Sequence, residues 1–291
     1  MGYQRFSVDS AFLFVMRRRI LLPSHCSIQK VLPSFHFSLL QIHTRLLTNC
    51  ICQWLFCSNL LTTLPALEVG YMRVSEFNSL VNPSLQRALS ELKKQGANAY
   101  VMDLRGNTGG AFQSAIEISG LFLQDRVATY VIDSNQVELP FRTPKLQELS
   151  IDPETPMVVW IDGLSASASE VLAGSLHDNC RAVTMGNQSF GKGLIQAVYG
   201  LKNGAGLVVT VAKYVTPSGT EIQGKGITPD ILPQGKNMPA PVFVPGLSTD
   251  TSKVDFKDIA ERLSPKVCSV PEDRVAANKG TTGVVTDAAG A

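Results

Sequence analysis

From Val69 onward, apolar runs of strand length alternate with stretches whose apolar residues recur at helical spacing. A chain patterned this way buries its core by laying helices on a largely parallel sheet. Residues 69–77 read as a strand. Asn82 offers an N-cap with Pro83 in the first helical position, Leu85, Ala88, Leu89 and Leu92 share one face, and Gly96 stops the helix. Strand 99–104, a glycine turn, helix 111–123, strand 127–132, a proline-containing loop at 140–154 and strand 157–161 follow. A helix over 167–177, a strand over 182–185 and a hairpin of 194–199 with 206–214, turned at Asn203-Gly204, complete the core. The expected class is α/β.

Two breaks in this pattern carry reactive side chains. Ser165-Ala166-Ser167-Ala168-Ser169-Glu170 leads into and opens the helix at 167–177, and Phe190-Gly191-Lys192-Gly193 follows it. A hydroxyl attacks a carbonyl only if a neighbouring base takes its proton, a task usually given to histidine. Three of the four histidines, His25, His36 and His43, lie in the first 67 residues, away from every motif, and the fourth is His177. A lysine can serve instead where apolar surroundings disfavour its charge. Lys192, flanked by glycines in a segment of low charge, suits that role. The plain alternative is a small-residue helix start and an ordinary turn lysine. Upstream, Ala99-Tyr100-Val101-Met102-Asp103-Leu104-Arg105-Gly106-Asn107-Thr108-Gly109-Gly110 runs from a buried strand into paired glycines, whose backbone N–H groups are free to meet an anion. An oxyanion hole needs such donors.

These segments, with Gly186 to Gly193 and Tyr214-Val215-Thr216-Pro217-Ser218-Gly219, resemble the carboxyl-terminal processing (tail-specific) serine peptidases over residues 69–231. The resemblance implies a crotonase/Clp-protease-like superhelix of strand-strand-helix units. It implies Ser167 as nucleophile, Lys192 as general base and Gln196 as the residue that orients the lysine. The oxyanion donors it implies are the N–H of Ala168 and that of Gly109 or Gly110. Ser165 and Ser169 read as capping or packing residues and Glu170 as a first-turn carboxylate. Asp162 and Leu164 stand where the family commonly has asparagine and glycine, so a reshaped strand-to-helix turn is expected. Thr108 replaces a common proline without consequence for the chemistry.

Other readings of the same segments are weaker. Gly186-Asn187-Gln188-Ser189-Phe190-Gly191-Lys192 nearly spells a phosphate-binding loop, but Gly193 replaces the Ser or Thr that would hold magnesium, and a strand follows where a helix is required. A formal charge of +2 on 291 residues gives no case for nucleic acid, and no metal or cofactor is called for. Cys50-Ile51-Cys52 has no standard zinc spacing, and Cys180 and Cys268 do not argue for a disulfide framework.

Charge divides the chain into three expected parts: a leader at 1–67, a peptidase core at 68–235 and an extension at 236–291 that is partly disordered, at least beyond Val267. The leader holds one acid, Asp9, against Arg5, Arg17, Arg18, Arg19, Lys30 and Arg45, the composition of an organellar transit peptide. Residues 46–67 are uncharged and long enough to reach across a bilayer, so membrane association through this segment is one reading. The apolar part of a bipartite transfer signal is a second, and a poorly folded or wrongly assigned N-terminus is the third. The PDZ domain that family members carry ahead of the core, which would capture a substrate tail, is not apparent.

The activity this resemblance implies is an endopeptidase acting near protein C-termini through an acyl-enzyme, in the chloroplast thylakoid lumen or a bacterial periplasm. Its partners are then the C-terminal tails of proteins, the photosystem II reaction-centre precursor among them. A non-catalytic peptide-binding protein of the same fold is the alternative, and an acyl-CoA-handling crotonase relative would leave the Ser and Lys motifs unexplained.

Overall fold

The computed structural model describes residues 3–8, 11–16, 67–145, 151–232 and 254–273. In chain order these form β1 (Tyr3–Val8), β2 (Ala11–Met16), β3 (Val69–Arg73), α1 (Val81–Lys94), β4 (Ala99–Asp103), α2 (Phe112–Ser119) and β5 (Val127–Asp133). There follow β6 (Glu138–Arg142), β7 (Met157–Ile161), α3 (Ala168–Asp178), β8 (Val183–Gly186), β9 (Leu194–Gly200), β10 (Gly206–Val215) and α4 (Phe256–Arg262). The uncharged stretch, its cysteines and the expected membrane segment lie outside the described residues.

The strands make two sheets. One runs β1-β2-β3-β4-β7-β8, the other β6-β5-β10-β9. In the first, β3, β4, β7 and β8 are mutually parallel, in registers such as Tyr71↔Val101, Met102↔Val159 and Trp160↔Met185. β1 and β2 add to β3 antiparallel, so residues 3–16, placed in the leader by composition, pair with this sheet. The largely parallel sheet expected from the alternation is this one. The second is antiparallel throughout. Strands β3, β4 and β7 are buried along their whole length, which is why they read as unbroken apolar runs. Helices α1, α2 and α3 supply Leu85, Leu89, Ile116, Ile118, Leu172 and Leu176 to the same core.

Several boundaries depart from the sequence reading. Helix α1 begins at Val81 with Leu80 as N-cap, so Asn82 lies inside it; Pro83 falls among the first residues, whose N–H groups have no helical acceptor and are not missed. The loop expected at 140–154 begins inside β6, which ends at Arg142. Pro140 is tolerated there because β6 is an edge strand: Asp133 N–H reaches Val137 O, so the alternating ladder turns the Pro140 nitrogen outward. The extension carries α4, capped by Asp255, which accepts from Lys257 N–H at 3.0 Å. It is also bonded to the core by a Cys180–Cys268 disulfide, with an S–S distance of 2.06 Å, a link that cysteine spacing alone did not suggest.

At the end of α3, His177 donates toward Asp178 Oδ1 at 2.8 Å and Asp230 Oδ1 at 3.0 Å. The bonds to Asp178 and then Asp230 outweigh burial and push its pKa up to about 10. Burial alone would raise both carboxyls, but His177 holds them below the usual range. A raised histidine stabilises the fold fully below its unfolded value of 6.5, and that contribution is lost as pH rises through about 10. Urea midpoints measured from about pH 6 to about pH 10 should therefore fall, and more steeply for the parent than for His177→Asn. Equal slopes would exclude this role for the cluster.

Candidate active site

Two turns at the C-terminal ends of neighbouring parallel strands meet here. After β4, residues Leu104 to Gly110 form the glycine turn; after β7, Asp162 to Ser167 lead into α3. The first is anchored by buried Asp103. Its carboxylate accepts from Arg105 Nε at 2.8 Å and Nη2 at 2.7 Å and from the Tyr71 hydroxyl at 2.6 Å. The Arg105 guanidinium lies over the Trp160 ring, 4.5 Å from its centroid, which covers the charge from the other side. Burial and the adjoining Asp103 together push the Tyr71 phenol well above its ordinary range, so it stays a donor.

Backbone bonds join the two turns. Ala166 N–H donates to Asn107 O at 3.0 Å, and the Ser169 hydroxyl donates to the same carbonyl at 2.8 Å. Ser165 Oγ donates to Leu104 O at 2.9 Å. Asp162 Oδ1 accepts from Gly106, Leu164 and Ser165 N–H at 3.0, 3.0 and 3.1 Å. Asp162 Oδ1 thus satisfies three backbone donors of the turn, whereas its buried Oδ2 meets no donor among the described residues. Leu164 is exposed, so the residue that replaces a glycine points to solvent.

Ser167 is the N-cap of α3, with φ 55 and ψ −114. Such a backbone costs a non-glycine residue roughly 1–3 kcal/mol and persists only where neighbours hold it. Glu170 is one such neighbour, and it reaches well beyond its own helix. This carboxylate, 1 % exposed, accepts at Oε2 from Ser167 N–H (2.8 Å) and Lys192 N–H (2.9 Å). At Oε1 it accepts from the Ser189 hydroxyl (2.5 Å) and Gly191 N–H (2.6 Å). One oxygen therefore holds the serine and lysine backbones side by side. The sequence reading saw only a first-turn acid, because three of its four donors come from a segment about twenty residues away that no local spacing signals.

The glycines around Lys192 are needed for close approach. A β-carbon on Gly193 would lie 2.3 Å from Gln223 N, and one on Gly191 3.1 Å from Gly226 N. The lysine side chain itself is exposed, so the dry surroundings expected for it are not present in this state. Gln196, on the exposed strand β9, forms no hydrogen bond with Lys192 among the described residues.

The paired glycines differ. Gly109, φ +105, lies against the Ser167 turn: a β-carbon there would be 2.8 Å from Ala166 O and 2.9 Å from Ser167 Cβ. Its N–H is taken by Asn107 Oδ1 at 2.9 Å. Gly109 O and Ala111 N–H both bond Phe77, which turns the N–H of the intervening Gly110 the other way. Neither Gly110 N–H nor Ala168 N–H has an acceptor among the described residues. The positive end of α3 adds to the pull on an anion at Ser167.

Comparison with known proteins gives a consistent picture. Residues 68–232 match Peptidase family S41. The chain is 42% identical over 179 residues to carboxyl-terminal-processing peptidase 1, chloroplastic, of Arabidopsis thaliana, covering 60% of this chain and 34% of that protein. It is 42% identical over 166 residues to the carboxyl-terminal-processing protease of Synechocystis sp. strain PCC 6803, covering 57% and 38%. The solved photosystem II D1 C-terminal processing protease superposes with a TM-score of 0.55 at 32% identity, over 72% of this chain and 50% of that one. The chain thus spans roughly a third of the length of the curated relatives it matches.

Proposed function

Because this chain belongs to Peptidase family S41, matched over residues 68–232, we propose that it is a serine endopeptidase cleaving near protein C-termini with Ser167 and Lys192 as its dyad. The observation that carries this reading is the single Glu170 oxygen shared by the Ser167 and Lys192 backbones. In the reaction, Ser167 Oγ attacks the scissile carbonyl while Lys192 Nζ takes its proton. The N–H groups of Ala168 and Gly110 receive the carbonyl oxygen as it gains charge. Collapse of the tetrahedral species breaks the C–N bond, and the lysine returns the proton to the leaving amine. Water then attacks the ester, again with Lys192 as base. Gln196 orients the lysine once the exposed side chain folds inward under a bound peptide, which covers the dyad from water.

The substrates are C-terminal tails of proteins. The relatives named as chloroplastic and the likeness to a D1 processing protease support a chloroplast location, with the thylakoid lumen as compartment and a photosystem II precursor tail as substrate. The exposure of Lys192 favours a second reading, a peptide-binding protein that has kept the fold. The two separate by acylation. A slowly hydrolysed acylating peptide ester should add one acyl group to the tryptic peptide containing Ser167, as read by intact and peptide mass. Lys192→Ala should slow this by roughly 10²–10⁴-fold at neutral pH, with partial recovery in alkali. A folded protein that holds the ester without being acylated would establish the binding reading instead.

A further inference from the structure

Strand β9 begins two residues after Lys192, at Leu194, and forms the outer edge of its sheet. Its ladder with β10 fixes which backbone groups are used. Leu201 N–H donates to Ala205 O at one end and Tyr214 N–H to Gly193 O at the other. With Gly200↔Gly206, Val198↔Val208, Gln196↔Thr210 and Leu194↔Lys213 as opposed pairs, these are the non-hydrogen-bonded positions. The N–H and C=O groups of Leu194, Gln196, Val198 and Gly200 therefore point away from β10, toward open solvent among the described residues. Natural edges are usually blunted by a charge, a proline or a covering element. β9 has no charged residue and no proline, Gln196 is its one amide side chain, and its outer half is open: Val198 is 72% exposed and Tyr199 53%. Across the ladder, Leu207 and Val208 are 49% and 55% exposed.

We propose that the free edge of β9 is the docking rail for an extended, uncharged polypeptide segment, which joins the sheet as an added strand and is thereby led to Lys192. This rests on the peptidase reading above, since it names the chemistry of what enters that site. The occupant is argued from position and charge. The rail is continuous with the lysine turn, which Glu170 holds against the Ser167 turn. An extended segment meets it through backbone groups at every second residue, so the rail accepts different sequences provided they are extended and lack charge where they face Val198 and Tyr199. A second copy of this chain pairing edge to edge is the competing occupant.

The test uses the full chain as Ser167→Ala, so that binding is measured without turnover and failure of the rail is separable from failure of the dyad. An uncharged apolar octapeptide should protect the amides of Leu194, Gln196, Val198 and Gly200 from hydrogen exchange and leave those of Ala197 and Tyr199, already in the ladder, unchanged. The same peptide N-methylated at alternate residues should bind at least about tenfold more weakly. Val198→Pro, which removes an outward N–H and spares the β10 ladder, should weaken binding to a similar degree. Protection of none of the four amides by a peptide that binds, or equal binding of the N-methylated peptide, would overturn the proposal. So would protection that appears without peptide and grows with protein concentration, which would assign the edge to a second copy.

Discussion

Ser167→Ala is expected to lower cleavage of an unfolded protein substrate by roughly 10⁴–10⁶-fold while leaving the fold intact. The size follows from the division of labour at the site. In the proposed mechanism no acyl-enzyme forms without the hydroxyl, and the Ala168 and Gly110 N–H groups are left to polarise a carbonyl that only water can attack. Lys192→Ala should be nearly as inactive, and the double variant no worse than the worse single one, because a nucleophile and its base act as a unit. Stability should change by no more than about 1 kcal/mol in Ser167→Ala. The backbone bonds that shape the turn, from Ser167 N–H to Glu170 and from Ala166 N–H to Asn107, do not involve the hydroxyl. Substantial cleavage by either single variant, after purification from contaminating proteases, would assign the chemistry to other residues.

Glu170 should show the largest loss of stability. Alanine there strands four donors, of which those of Ser189 and Gly191 are buried and those of Ser167 and Lys192 partly so, and each buried unsatisfied group costs about 1–3 kcal/mol. Urea unfolding should report a deficit above about 3 kcal/mol, or no folded protein at all. Glu170→Gln is the sharper case, since it keeps the volume and one oxygen. Three of the four neighbours are N–H groups that can only donate, so an amide nitrogen in place of Oε2 opposes two such donors, and one in place of Oε1 opposes Gly191 N–H with only the Ser189 hydroxyl able to turn and accept. Glutamine should therefore cost at least about 2 kcal/mol and lower the activity of whatever remains folded, because the serine and lysine turns lose their common anchor. A glutamine variant equal to the parent in both measurements would show that the carboxylate is dispensable.

The sequence made the parallel part of this fold legible for a simple reason. β3, β4 and β7 are buried on both faces and so are apolar without interruption, and the helices between them show one-sided spacing. It failed where identity depends on place in the sheet. Pro140 argues against a strand unless one knows that β6 lies on an edge with its nitrogen outward. The site divides in the same way. Ser167, Lys192 and the paired glycines stood out because their residue types are chemically unusual in those positions. Glu170 and Asp162 did not, since an acid in a first turn is ordinary and only the partners brought by folding reveal what it holds. The exposure of Lys192 was likewise unreadable, because a glycine-flanked lysine looks the same in a closed cleft and at an open one.

The Cys180–Cys268 bond, spanning a separation of 88 residues, makes a macrocycle of part of the chain. Lys192 and the β9–β10 hairpin lie within the ring, and Ser167 lies outside it. Once closed, such a polypeptide can pass a narrow pore only as a doubled thread. Oxidation of this pair therefore belongs after any translocation one strand wide.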